Sequence, residues 1–211
     1  MRALLLAAID LPASYEAEFH DWYDTEHLPE RAAVPGLGPI SRWERATGGL
    51  PRFLALYPAA SLSALDTGPY RALKARGDTP WTARLKAVFD RTVRATATET
   101  ADYGPGTGDD PVAGASACAL AVTTVPPELA SSYRDWYDTA HGPAVAAVPG
   151  VRAVRRYLAA EGTELTLLAL DSPDVLTGPA YAAAKEASPD GGLRAKWHRE
   201  QAVYLRLPAR T

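Results

Sequence analysis

Asp21-Trp22-Tyr23-Asp24-Thr25-Glu26-His27 returns 114 positions later as Asp135-Trp136-Tyr137-Asp138-Thr139-Ala140-His141. The spacing beyond it also repeats. Pro29 and then Pro35-Gly36 match Pro143 and then Pro149-Gly150. Self-similarity at a fixed period marks a duplicated structural unit. The chain therefore reads as two copies of one unit, 1–103 and 114–211, joined by a linker at 104–113. Gly104-Pro105-Gly106-Thr107-Gly108-Asp109-Asp110-Pro111 has the small, polar composition of a flexible connection.

Each copy shows the same order of elements. In the first, residues 2–10 form an apolar run that Asp10 and Pro12 end, which suits a buried strand. Met1–Ile9 resembles a signal peptide only superficially, because no cleavage site follows. Ser14 is placed to cap a helix from Tyr15 to about His27. Pro29 disfavours helical geometry at Leu28 and should end it. Strands follow at 40–46 and 52–57 around Gly48-Gly49, then helical composition over 61–75 and 81–89. Residues 91–99 alternate Thr92, Arg94, Thr96 and Thr98 with Val93, Ala95 and Ala97, as a half-buried strand does. The second copy reads as strand 116–125, helix 128–141, strands 151–159 and 164–170, helix 174–187 and strand 200–207. This β-α-β-β-α-β order is the ferredoxin-like arrangement: four antiparallel strands with both helices on one face. Two copies in one chain can pair their bare sheet faces.

Composition narrows the function. The chain has 211 residues, a net charge of −3 and 47% hydrophobic residues. The charge argues against a nucleic-acid partner. No apolar run is long enough to span a membrane. One cysteine, Cys118, excludes an internal disulfide and reads as a small core residue, which fits a cytoplasmic protein. No P-loop, dinucleotide fingerprint, nucleophile elbow or Cys-x-x-Cys pair appears, and no helix carries metal-ligand spacing. Neither a metal nor a cofactor is expected.

On a helical wheel of about 100° per residue, Tyr15, Phe19, Trp22, Tyr23 and Glu26 share one arc, with His27 at its edge. Tyr133, Trp136, Tyr137 and Ala140 share the matching arc, with His141 at its edge. Such a stripe suits core packing, and it equally suits the wall of a cavity between helix and sheet. Asp24 and Asp138 sit three residues before His27 and His141, within reach on a helix. Each Asp is thus placed to orient an imidazole for acid/base work. The same residues also suit a plain helix end. Glu26, aimed at an apolar wall, is expected to have a raised pKa. His20, whose counterpart is Arg134, reads as solvated, and His198 as a surface residue.

Phe19-x-x-Trp22-Tyr23-Asp24-x-Glu26-His27-Leu28-Pro29 followed by Pro35-Gly36 resembles the EthD-like branch of the dimeric α+β-barrel superfamily. Tyr133-x-x-Trp136-Tyr137-Asp138-x-x-His141-x-Pro143 followed by Pro149-Gly150 resembles it again, so the likeness spans nearly the whole chain. The resemblance implies an α+β fold: two tandem ferredoxin-like units closing one pseudo-dimeric barrel. It implies sites between the helices and sheet of each unit, with catalytic roles for Asp24, Glu26, His27, Asp138 and His141. Trp22, Tyr23, Tyr70, Trp136, Tyr137 and Tyr181 would bind substrate, and Ala140 puts an intact second site in question. The activity expected is cofactor-free proton transfer of lyase, cyclase or isomerase type on a hydrophobic, aromatic or polyketide-like substrate. The alternatives are a non-catalytic binder of a hydrophobic metabolite and a cofactor-free or haem-dependent oxidoreductase. The chain is expected to act as a monomeric pseudo-dimer or a homodimer.

Overall fold

In β1 (Ala3–Asp10), Leu4, Leu6 and Ala8 turn to one side and Leu5 and Ile9 to the other, and both sets are buried. A strand alternates its side chains, so burial on both faces requires cover on both faces. The computed structural model, which describes residues 2–104 and 108–208, shows what the covers are. Helices lie over one face, and the other faces the interior of a barrel.

The first half contributes β1, β2 (Ser41–Gly48), β3 (Phe53–Ala59) and β4 (Arg91–Tyr103). The second contributes β5 (Ala117–Thr124), β6 (Val151–Ala159), β7 (Thr163–Leu170) and β8 (His198–Arg206). Their lateral order is β1-β3-β2-β8-β5-β7-β6-β4, closing on itself. Each half thus keeps the ferredoxin-like order, and β2–β8 and β4–β6 join the halves antiparallel. Both seams carry a register shift, at Arg45/Thr47 and at Glu99/Ala101, where the extra residue bends the strand around the barrel. The expected α+β barrel is therefore present, and its two sheets share edges as well as faces. Closure removes every free sheet edge.

The interior is solid. Leu4, Leu6, Trp43, Leu54 and Leu56 from the first half meet Cys118, Leu120, Tyr157, Leu165, Leu167 and Tyr204 from the second. Trp43 and Tyr204 keep their polar ends satisfied inside, through Ser41 Oγ at 2.9 Å and the Pro51 carbonyl at 2.9 Å. Cys118 is fully buried, as read, and burial pushes its thiol pKa up. The linker corrects its reading in part. Pro105–Thr107 lie outside the described residues, but Val112 is buried in the barrel interior and its carbonyl accepts from Arg206. The two cavities that hold the repeated histidines lie on the helix-covered outer faces.

Two helix ends differ from expectation. Ser14 caps nothing; the chain enters α1 (Glu16–Trp22) through a short 3₁₀ turn after Pro12. Pro29 does not stop the helix. A π turn, Tyr23–His27, leads into α2 (Leu28–Ala32), so the helical path continues past the proline. The second half repeats this as α5 (Ala130–Trp136), a π turn at Tyr137–His141 and α6 (Gly142–Ala146). Gly68-Pro69 and Pro80 open new helices, α3 (Gly68–Ala75) and α4 (Pro80–Lys86), behind Thr67 and Thr79 as N-caps. Their later counterpart is α7 (Pro179–Glu186). No helix among the described residues is long and apolar enough to cross a membrane.

Barrel closure sets a steric condition at Gly48. Its φ is +105°, and a Cβ there would stand 2.3 Å from the Gln201 carbonyl oxygen of β8. Neighbouring Gly49 would meet nothing within 4 Å. Gly48→Ala should therefore lower stability by roughly 1–3 kcal/mol or more, and Gly49→Ala by much less, in urea melts. Equal losses would contradict the seam.

Candidate active site

The π turn organises the site. In an α-helix a backbone N–H reaches back four residues; here Leu28 N–H reaches back five, to the Tyr23 carbonyl, and Gly142 likewise reaches Tyr137. A proline inside an α-helix removes one ladder bond and presses on the carbonyl four residues earlier. The widened turn just before Pro29 and Pro143 relieves both. The hydroxyls of Thr25 and Thr139 donate to the Asp21 and Asp135 carbonyls, at 2.7 and 2.6 Å, where the ladder changes register.

The wider turn places His27 over Trp22, five residues before it, with ring centroids 4.4 Å apart. His141 stacks on Trp136 in the same way, at 4.5 Å. This corrects the expected Asp–His pairs, which assumed uniform α spacing. Asp24 instead receives Arg42 Nη1 at 2.9 Å, and Asp138 receives Arg156 and the Tyr103 hydroxyl. Arg42 and Arg156 then lie over the rings of Tyr23 and Tyr137, 4.2 and 4.7 Å from their centroids. The acids thus anchor the helix to the sheet through arginines on β2 and β6. His20 is buried rather than solvated, its Nδ1 accepting from Arg42 at 2.6 Å. His198 is exposed, as expected.

Glu26 also departs from expectation. It is not among the residues lining the cavity beside His27. Its Oε1 accepts from Thr79 Oγ1 at 2.7 Å, Thr82 Oγ1 at 2.8 Å and Trp22 Nε1 at 3.1 Å. The Thr79 hydroxyl foremost, then Thr82 and Trp22, hold its pKa below the usual range instead of raising it. Glu26 pins the start of α4 to the indole that supports His27.

A cavity of about 410 Å³ lies between these helices and the sheet. Leu5, Ala7 and Ile9 of β1 form part of its lining, with His27, Trp22, Tyr23 and Tyr70, as expected of the last three. Tyr57 and Phe89 add aromatic surface that sequence reasoning missed. Tyr57 donates to the Tyr23 hydroxyl at 3.4 Å, and burial raises the pKa of both phenols. The lining also holds three cations, Arg31, Lys86 and Arg94, and no carboxylate. Arg94 was visible as a polar member of an alternating strand, but its face reads as solvent-facing until the helices are placed over it.

The second half has its own cavity, about 280 Å³, lined by Tyr137, His141 and Tyr181 among others. Trp136 supports His141 without being part of that lining. Its cations are Lys185, Arg194 and Arg199. Ser188 is buried; it donates to the Ala184 carbonyl at 2.8 Å, so its oxygen accepts from His141 Nδ1 at 3.0 Å. That bond fixes the proton on Nδ1 and leaves Nε2 as the acceptor. Ala140, where Glu26 would be, leaves this imidazole intact. Among the described residues no group of three or more His, Cys, Asp or Glu is placed to hold a metal ion.

Both imidazoles are held neutral. Burial, then Arg31 and Lys86, lower the His27 pKa to about 3. Burial, then Arg194 and Arg199, lower that of His141 to about 4.

No family model matches the chain, and no curated protein matches it. Solved structures do. An anthrone oxidase-like protein aligns over 98% of this chain and 91% of its own, with a TM-score of 0.66 and 14% identity. A candidate monooxygenase from Fusobacterium nucleatum subsp. nucleatum aligns over 98% and 93%, at 0.65 and 6% identity. A candidate chlorite dismutase aligns over 99% and 95%, at 0.60 and 10% identity. The fold is that of a dimeric α+β barrel. In this α+β barrel a single chain supplies both halves, and each half carries a cavity between helices and sheet.

The depressed histidines make stability pH-dependent. The unfolded chain binds protons at both near pH 6.5, while the folded chain does not until about 3 and 4. Their contribution is complete above pH 6.5 and is lost as pH falls toward 4. A His27→Gln/His141→Gln variant should take up about two fewer protons on unfolding in that window, read as a shallower fall of urea-melt stability with pH. Equal slopes would show both rings titrating normally in the fold.

Proposed function

We propose that the chain is an EthD-like member of this fold and a small-molecule enzyme that needs no cofactor. It moves a proton on a hydrophobic aromatic or polyketide-like substrate in the cavity beside His27. The observation that carries this reading is a neutral imidazole facing an aromatic-walled cavity whose only charged lining residues, among those described, are cations. A neutral ring can accept a proton. Arg31, Lys86 and Arg94 supply positive charge where an enolate or phenolate would develop. The same cations disfavour an imidazolium in the empty cavity, so proton transfer is favoured only when the substrate becomes the compensating anion. His27 is the base, Trp22 sets its orientation, and Tyr23, Tyr57 and Tyr70 form the walls. Asp24 and Glu26 are positioning residues acting through Arg42 and through Trp22. The second cavity is smaller, and His141 serves it with Ser188 as its orienting partner.

A cofactor-free oxidoreductase is the second reading. It shares this first step, since an enolate formed by His27 can pass electrons to dioxygen. The likeness to an anthrone oxidase-like protein favours it. Haem fits the donor set poorly. A metal-bound histidine ordinarily gives its second N–H to a carboxylate or carbonyl, which raises its basicity. Asp24 is turned to Arg42 instead, and His27 is made less basic by burial and then by cations.

Anthrone, a fused-ring ketone with an acidic ring C–H, tests these readings. Without oxygen, the protein should speed exchange of that hydrogen with D₂O. His27→Ala should slow the exchange by about 10²–10⁴-fold, and His141→Ala by much less. Oxygen uptake in air that depends on His27 selects the oxidoreductase. No exchange above the His27→Ala background would leave a binding protein.

A further inference from the structure

Three cations and no carboxylate line cavity one, and Arg31 is the one carried on the helix beside His27. Arg31 is brought to the cavity because the helix continues past Pro29 into α2. Its Nη1 is buried and has no hydrogen-bond acceptor among the described residues; Glu30 Oε2 stands 3.6 Å away. The other two cations each have a hydrogen-bond partner, whereas Glu30 meets Arg31 only at ion-pair distance. Lys86 Nζ donates to Asp78 at 2.6 Å, and Arg94 Nη2 donates to the Tyr70 hydroxyl at 3.5 Å. A buried guanidinium N–H without a partner costs free energy, which an acceptor arriving with a ligand would return. Arginine's planar fork suits a carboxylate or another oxyanion better than a neutral carbonyl. The volume and the surrounding rings suit a flat apolar body of two or three fused rings.

We propose that the ligand of the cavity beside His27 carries an anionic group, a carboxylate or ionised acidic hydroxyl, gripped by Arg31. Its aromatic body lies among Tyr23, Tyr57 and Phe89. This deepens the substrate-site reading of that cavity and rests on it. The second half shows why the feature is local. Val145 stands 114 residues after Arg31 and lines the second cavity, whose cations come instead from α7, β8 and the segment before β8. Arg31 therefore gives the two cavities different ligand preferences.

The test compares 2-naphthoate with 2-naphthamide, a neutral probe of nearly the same shape, by titration calorimetry. Naphthoate should bind roughly ten- to hundredfold more tightly, the range for a hydrogen bond to a charged group. Arg31→Met should bring naphthoate down to the amide's affinity and leave the amide nearly unchanged. Arg31→Lys should recover part of the preference. Thermal melts confirm that the variants are folded. Should Arg31→Met not fold, the wild-type preference and its weakening by salt still decide the matter. Equal affinity for the two probes, or no binding of either, overturns the proposal. So does a preference that survives Arg31→Met and vanishes in Lys185→Met/Arg199→Met, which would place the anion in the second cavity. A lost preference with His27-dependent exchange intact removes only the anion anchor. A retained preference without exchange removes only the catalytic reading.

Discussion

One turn of helix, widened by a residue ahead of Pro29, decides what the rest of this molecule can do. Proline interrupts the backbone ladder, and the ladder answers by reaching five residues back instead of four. His27 thereby moves onto the indole of Trp22 and faces the cavity, Asp24 turns to Arg42, and the helix runs on to deliver Arg31. Thr25 supplies a hydroxyl for a carbonyl where the register changes. The repeated string is therefore a description of one backbone event and the side chains it positions. Its recurrence before Pro143 gives the second half the same histidine-on-tryptophan stack.

The barrel explains why the sites lie outside it. Each sheet offers one face to its twin, and the interior fills with Leu, Trp and Tyr. Tyr57 in the first half corresponds to Leu168 in the second, because the strands leave from matching bonds, Gly36 to Ala60 and Gly150 to Asp171. That exchange, together with Arg31 against Val145, gives cavity one an aromatic ring and a cation that cavity two lacks at the matching positions. The two halves share a scaffold and differ in their linings.

The fold was legible because its signals are local and periodic. The 114-residue repeat separates two units, and the apolar run at 2–10, the Gly48-Gly49 turn, the alternation at 91–99 and their counterparts mark the strands. The strand seams were not legible, since β2 meets β8 across more than 150 residues. At the site, Trp22, Tyr23 and Tyr137 could be read from helical faces, and Tyr70, Tyr181, His27 and His141 from their repetition. The Asp–His pairs failed because a 100° wheel cannot show a π turn. Glu26 failed because its partners, Thr79 and Thr82, belong to a helix more than fifty residues away. Arg42 and Arg156 carried an unused signal: they recur at the same 114-residue period as the motif they anchor.

The central claim is that a neutral histidine and surrounding cations make cavity one a place for an acidic aromatic molecule. Burial, and then the cations, keep the imidazole uncharged when the cavity is empty, and the ligand's charge completes the arrangement. A crystal structure grown with 2-naphthoate tests this most directly. The account predicts the naphthalene ring beside Tyr57 and His27, with the carboxylate on Arg31. Naphthoate found only beside His141 or on the outer surface, with the cavity at His27 filled by water, would contradict it.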